Sequence, residues 1–529
     1  MTTTVFRHPR IHTFAADVSF AGAIVARDGR IAFLGDADAA LAFAGPGAEV
    51  VELPGSAVLP AFHDAHIHSG DRALERLGPD LRGTNSYAET LELLREWAGE
   101  HPGEGWVLGG AWNANPWTDG APDRRDLDAI FGKRPVLLST IDGHANWANT
   151  AALERGSITD ATSDPDGGRI VRDADGRATG VLLEEAAGLV GEHVTGATPE
   201  QLADLLEEQQ DELLALGLAH LTDIDRLDVD DAYRQLQREG RLRIRVHKLL
   251  RDDELEGAIS DGWRSYTGDD WLTRGAVKLF SDGALGPHTA HLHEDFEGEP
   301  GNTGIAVTDD AELRALTRRA VDAGIAVAVH AIGDRANTRV LDVFEEVADD
   351  ARAAGIQLRI EHAQHLKPRD LDRLAELGIV ASMQPTHCTT DYPLSVQLLG
   401  ARDTRHYPWR SLLERGVPLA FGSDAPVEPA NPFFAIHAAV TRQRRDGEPA
   451  GGREPEERIS VRDALLAHTL GSAFAAGLER ETGTLEVGKF CDFIAVDTDP
   501  FEADPSTLWR TRVLTTAVGG TLRFQADRG

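Results

Sequence analysis

Between residues 215 and 426, short apolar runs alternate with amphipathic stretches, and this alternation limits the fold more than any other feature of the chain. The runs that read as strands are Leu218–Asp223, Ile244–Leu249, Ala276–Phe280, Ile325–His330, Leu358–His362, Ile379–Gln384 and Pro418–Gly422. Continuous apolar runs of this length suit strands buried on both faces. Helical candidates intervene, among them Asp310–Ala323, Ala336–Ala354 and Arg369–Leu377. Ala57–His68 as a first strand makes eight. Eight βα units predict an α/β fold, the (β/α)8 TIM barrel, with its active site at the C-terminal strand ends.

The stretch from 72 to 200 is too long for a loop. It holds helical runs (Tyr87–Glu100, Pro199–Leu216) and a Gly/Asp-rich hairpin over Pro165–Gly180, so it reads as an inserted cap between strands one and two that carries substrate contacts. Both chain ends have β texture. Near the start, Ala21–Arg30 and Ile31–Gly35 form a hairpin through Asp28-Gly29. Near the end lie Gly483–Lys489, Asp492–Asp497 and Arg512–Phe524. The expected organisation is a barrel over 57–482, cap included, and a composite β-sandwich from 1–56 and 483–529.

Charge narrows the partners. With 87 acidic against 53 basic residues the net charge is −34. Such a surface repels phosphate backbones and anionic lipid, which argues against nucleic acid and membrane as partners. Cys388 and Cys491 cannot build a disulfide framework. The first ten residues lack an apolar signal core, and no apolar run approaches the roughly 20 residues of a spanning helix. The expectation is a cytoplasmic protein. Among the 53 basic residues only five are lysine, at 133, 248, 278, 367 and 489; the other 48 are arginine.

The chemistry concentrates at strand ends. Asp64-Ala-His66-Ile-His68 closes the first strand, and residues i and i+2 of a strand share a face. Two imidazoles side by side suit a divalent ion such as Zn²⁺; two histidines that simply finish a strand explain the pair equally well. His330, His362 and Asp424 end strands five, six and eight. Each alone could be a polar strand end. Four histidines and a carboxylate around one barrel mouth read as a metal site.

The set His66-x-His68, His330, His362 and Asp424 resembles that of the amidohydrolase superfamily of metal-dependent hydrolases. The resemblance covers nearly the whole chain and includes Gly483–Ile494 after the barrel, where Cys491 stands at a position more often held by a small residue. Further stretches are similar to the branch that includes N-substituted formamide deformylase: Gly143–Asn149, Asp166–Gly168, Val277–Gly283, His330–Arg335 and Phe421–Pro426.

The resemblance implies two divalent ions, Zn²⁺ the expected metal, and a carboxylated Lys278 near the end of strand four that bridges them. Arginine cannot take up CO₂, so a lysine here in an arginine-dominated chain supports that role; the bland alternative is an ion pair with Asp282 or Asp424. By resemblance His66, His68, Lys278 and Asp424 hold the more buried metal, and the carbamate with His330 and His362 holds the other. A hydroxide between the metals is then the nucleophile, and Asp424 is its general base and later general acid.

Lower-ranked candidates for substrate contact are His144, Trp112, Trp117 and His387; Trp147 could line the same apolar pocket. His291-x-His293 follows Gly286-Pro287 and reads as a solvated loop or lid feature. Cys388 would be a nucleophile only beside a base. The reaction implied is hydrolysis of a non-peptide C–N bond, an amide or N-substituted formamide. The alternatives are the same metals acting on a cyclic amide, carbamate, lactone or imine, or a non-catalytic scaffold. A homodimer is the expected assembly.

Overall fold

The computed structural model describes residues 3–16 and 19–527. Met1, Thr2, Asp17, Val18, Arg528 and Gly529, which the sequence reading assigned to the terminal β segments, lie outside them.

Eight strands form one parallel sheet: β1 Phe62–Ile67, β2 Leu218–Asp223, β3 Arg245–Arg251, β4 Leu272–Phe280, β5 Val327–Ala331, β6 Leu358–His362, β7 Val380–Met383 and β8 Leu419–Phe421. Consecutive strands are neighbours, so the expected TIM barrel is present. Its seam closes just beyond β8, where Asp424 N–H donates to His66 O at 2.7 Å and His68 N–H donates to Ala425 O at 2.9 Å. Gly422 makes this approach possible, because a Cβ there would lie 2.5 Å from His66 N.

The strand expected over Ala57–His68 is two strands. Ala57–Pro60 pairs antiparallel with Phe493–Val496, and only Phe62–Ile67 enters the barrel. Pro60 lacks an N–H and marks the switch between sheets. The helix expected over Ala336–Ala354 is also two, Asp334–Glu345 and Ala348–Ala354, because Val347 leaves helical geometry at φ −125°.

Both chain ends share a second sheet of eight strands. In it Phe20–Arg27 and Arg30–Gly35 are antiparallel, joined by Asp28 and Gly29 at φ 52° and 79°, the left-handed pair of a tight hairpin turn. The long insertion carries a third sheet, of five strands: Gly110–Trp112, Leu137–Thr140, Ala145–Ala148, Gly168–Arg172 and Ala178–Glu184. Helix Tyr87–Glu100 belongs to it. Helix Pro199–Ala215 returns the chain to β2, started by a capping box between Thr198 and Gln201 with Pro199 at its first turn. Among the described residues no helix is long and apolar enough to cross a membrane.

Candidate metal centre

The C-terminal strand ends converge on Asp424. Its Oδ1 lies 3.3 Å from His66 Nε2 and 3.4 Å from His68 Nε2. Its Oδ2 lies 3.9 Å from His362 Nδ1 and 3.2 Å from His387 Nε2. One ligand atom each from His66, His362 and Asp424 fall within 4.8 Å of one another, as do those of His68, Asp71 and Asp225.

Local backbone aims these groups. Asp64, buried on β1, accepts from Ser423 N–H at 2.9 Å and Ser423 Oγ at 2.6 Å, and so fixes the turn that delivers Asp424. Burial pushes the Asp64 carboxyl up to about 6. His362, Ala363 and Asp424 all have positive φ, at 74°, 44° and 59°. These three are among the chain's non-glycine residues in the left-handed region, and their clustering at the barrel mouth is the kind of stored strain found at functional sites.

Carboxylates behind the histidines set their tautomers. His66 Nδ1–H donates to Glu361 Oε2 at 2.6 Å, and His68 Nδ1–H donates to Asp225 Oδ1 at 2.8 Å. Each pairing leaves Nε2 as the nitrogen facing Asp424. Glu361 is itself held by Arg359, whose Nε donates to Oε1 at 2.8 Å. Burial alone would raise Glu361, but Arg359, then His66 and Lys278, hold it well below the usual carboxylate range. Burial likewise opposes charge on His68; Asp225 and Asp424 outweigh it and push the imidazole up to about 10. His330 Nε2–H donates to the Gly283 carbonyl at 3.1 Å, which leaves Nδ1 with its lone pair. The His330 ring is 4.5 Å from that of His362. Burial lowers both rings well below the ordinary imidazole value.

Lys278 is 1% exposed, and its Nζ sits 4.7 Å from the Phe280 ring centroid. Among the described residues it makes no ion pair within 4.0 Å. The expected alternative partners are otherwise engaged: Asp282 accepts backbone N–H groups from His291, Ile332 and Gly333, and Asp424 faces the histidines. Burial pushes the Lys278 amine down to about 8. Lys248, the other lysine fully buried in the barrel, differs: its Nζ pairs with Asp223 Oδ1 at 2.8 Å and donates to Leu249 O at 2.9 Å.

A divalent cation fits this donor set. His66 Nε2 and His362 Nδ1 are buried and make no hydrogen bond, yet both face the same carboxylate. Orphaned imidazole nitrogens beside an acid lose the cost of their desolvation when a cation joins them.

The lower-ranked candidates separate. His387, on helix Pro385–Thr390, reaches Asp424. Burial works against its charge, and Asp424 with Asp391 push it up to about 9. His144 comes from the cap to within 5.0 Å of the His330 ring, and its Nδ1–H donates to Glu184 Oε2 at 2.8 Å. Burial opposes the charge of His144 too, and Glu184 followed by Asp142 pushes it up to about 9. Trp112 and Trp117 pack with Trp147 in the cap's own apolar core, and Trp112 Nε1–H donates to Leu138 O at 2.8 Å. His291 is buried rather than solvated, pinned by its backbone N–H on Asp282, while His293 is exposed. Cys388 is fully buried, and burial raises its thiol.

Sequence reasoning missed Glu361, Asp225, Asp71 and Glu184. Glu361 had a signal: in Leu358-Arg-Ile-Glu-His362 the charged residues Arg359 and Glu361 alternate with apolar ones inside a strand that should be buried on both faces.

The model of the amidohydrolase family matches residues 49–524. The chain belongs to the amidohydrolase family. It is 34% identical to the protein LONG AFTER FAR-RED 3 of Arabidopsis thaliana, over 96% of this chain and 89% of that one. It is 30% identical to the N-substituted formamide deformylase of Arthrobacter pascens, over 97% of each. Among solved structures, an uncharacterized metal-dependent hydrolase of Pyrococcus horikoshii OT3 superposes with a TM-score of 0.78 at 28% identity, covering 95% of this chain and 99% of that one. This amidohydrolase therefore shares both sequence and architecture with metal-dependent hydrolases.

Proposed function

We propose that this amidohydrolase cleaves a non-peptide C–N bond of a small molecule, an amide or N-substituted formamide, at a centre formed by His66, His68, Lys278, His330, His362 and Asp424. The observation that carries the proposal is the shared orientation of His66 and His68. Two separate carboxylates, Glu361 and Asp225, take their Nδ1–H groups, so both Nε2 atoms meet one oxygen of Asp424. Carboxylate backing of this kind is what ligating histidines have.

Two divalent ions, zinc by the imidazole-rich donor set, would supply Lewis acidity toward the carbonyl and acidify a water at neutral pH. Lys278 would join the ligand set as a carbamate, its unpaired Nζ taking up CO₂ and losing a proton. Asp424 is placed to accept the proton of the attacking water and return it to the departing nitrogen, so that water adds OH to the carbonyl carbon and H to the amine. His144, kept protonated at both nitrogens by Glu184, would donate Nε2–H to the acyl oxygen from the cap side, and His387 holds the second oxygen of Asp424. The formamide deformylase relative supports the C–N reading.

The test is turnover by the zinc-reconstituted protein on three probe classes: aryl formamides such as formanilide, small lactones, and aminated heterocycles. Preferred hydrolysis of the formamides is the expected result. Turnover confined to lactones or heterocycles would overturn the C–N amide assignment. No turnover together with only trace bound metal would favour a scaffold.

A further inference from the structure

The cap meets the barrel on loop 281–308 after β4. Glu184 ends the last cap strand at φ 50°, with its side chain 4% exposed. Its Oε2 accepts from His144 Nδ1 and its Oε1 accepts from Thr289 Oγ1, a residue of that loop. Gly283 packs against both partners: a Cβ there would lie 2.0 Å from Glu184 Oε1 and 2.1 Å from Thr289 Oγ1. Two more close approaches join the same surfaces. A Cβ at Gly286 would lie 2.2 Å from Asp142 Oδ2, and one at Gly167 would lie 2.3 Å from Val307 O.

We propose that Glu184 is a positioning residue for the hydrolysis: through Thr289 and Gly283 it seats the cap on the barrel, and through Nδ1 it holds His144 with Nε2–H presented to the substrate's acyl oxygen. The inference rests on the hydrolytic reading of the metal centre. An imidazole just before the cap strand Ala145–Ala148 is free to turn about two side-chain torsions. A carboxylate itself gripped from the barrel side removes that freedom and commits Nδ1–H. His144 Nε2 then has no hydrogen-bond partner among the described residues, while its ring lies 5.0 Å from the ring of His330. A glutamate needed only for docking would not require a histidine on its other oxygen. The arrangement makes cap seating and histidine placement one event, so the side of the site that receives the acyl oxygen is complete only when the cap is docked.

A double-mutant cycle between Glu184→Gln and His144→Ala tests this, on formanilide or on whichever lactone or heterocycle probe is turned over, with bound metal and thermal midpoint followed in parallel. Glu184→Gln should lower kcat on the order of 10-fold or more, with KM changed less than about two-fold and metal retained, as for other residues that orient an active-site group. In the His144→Ala background the same change should cost less than about two-fold. Equal losses in both backgrounds would overturn the proposal, since Glu184 would then act without His144. A second readout does not depend on turnover. Long-range ¹H–¹⁵N spectra of histidine-labelled protein should show a proton held on His144 Nδ1 in the wild type, and in Glu184→Gln that proton lost or shared with Nε2. A wild-type His144 bare at Nδ1 would overturn the proposal whatever the enzyme hydrolyses, whereas absence of turnover on every probe would count against the functional reading alone.

Discussion

Asp424 is the residue on which the account turns. It touches three of the proposed ligand histidines and His387, and it sits at φ 59°, a backbone region uncommon outside glycine. Burial alone would raise its carboxyl, but His66, then His387 and His68, hold it well below the usual carboxylate range. Asp424→Asn keeps the shape and one acceptor oxygen and removes the proposed proton carrier. Turnover should fall about 10²-fold or more with metal partly retained, the scale of general acid–base catalysis. A variant within a few-fold of wild type in steady-state assays would show that another group moves the proton. At this scale the sequence was partly legible. That His66, His68, His330, His362 and Asp424 gather at the barrel mouth was visible, because strand ends announce themselves by an abrupt polar residue. Their orienting carboxylates were not, since Asp225 lies two residues beyond the end of β2 and Asp71 in the helix after His68, where only the folded chain brings them to one imidazole.

At the scale of elements, the barrel is tied to the terminal sheet by Asp492. Its carboxylate accepts from Arg245 Nε on β3 at 2.8 Å and from His220 Nε2 on β2 at 2.8 Å, all three buried. Burial would raise this carboxyl, but Arg245 and His220 hold it well below its ordinary value. A carboxylate depressed in the folded state adds stability that is complete above its unfolded pKa, about 3.9, and is lost as pH falls toward the folded value. Asp492→Asn should therefore cost about 3–5 kcal/mol at pH 7, the usual penalty for stranding one partner of a buried pair. The gap in urea midpoint between variant and wild type should narrow as pH drops below about 4. A gap unchanged by acid would assign the loss to packing instead of charge. Element boundaries were the less legible part. The run Ala57–His68 reads as one strand because its apolar pattern hardly breaks; the change of sheet at Pro60 depends on Phe493–Val496, far away in the chain. The tryptophans misled in the same way, because an aromatic cluster looks alike whether it lines a pocket or, as Trp112 and Trp117 do, fills the core of a cap.

For the whole molecule, three sheets divide the work: the terminal sheet braces the barrel, the barrel holds the proposed ligands, and the cap brings His144 to the mouth. The net charge of −34 favours cations in general but selects no site; the field at the barrel mouth is set by local groups. Lys278 is the strictest local test. A free ammonium near the proposed ligand histidines would repel divalent ions, whereas a carbamate supplies the anionic oxygens they require. The decisive measurement is the metal content per chain of wild type and Lys278→Arg, produced in parallel in zinc-supplemented medium and measured by inductively coupled plasma mass spectrometry alongside turnover. About two ions per wild-type chain, and one or fewer in an inactive Lys278→Arg, is the predicted result; an active wild type with one ion or none, or a Lys278→Arg variant that keeps two, would contradict it.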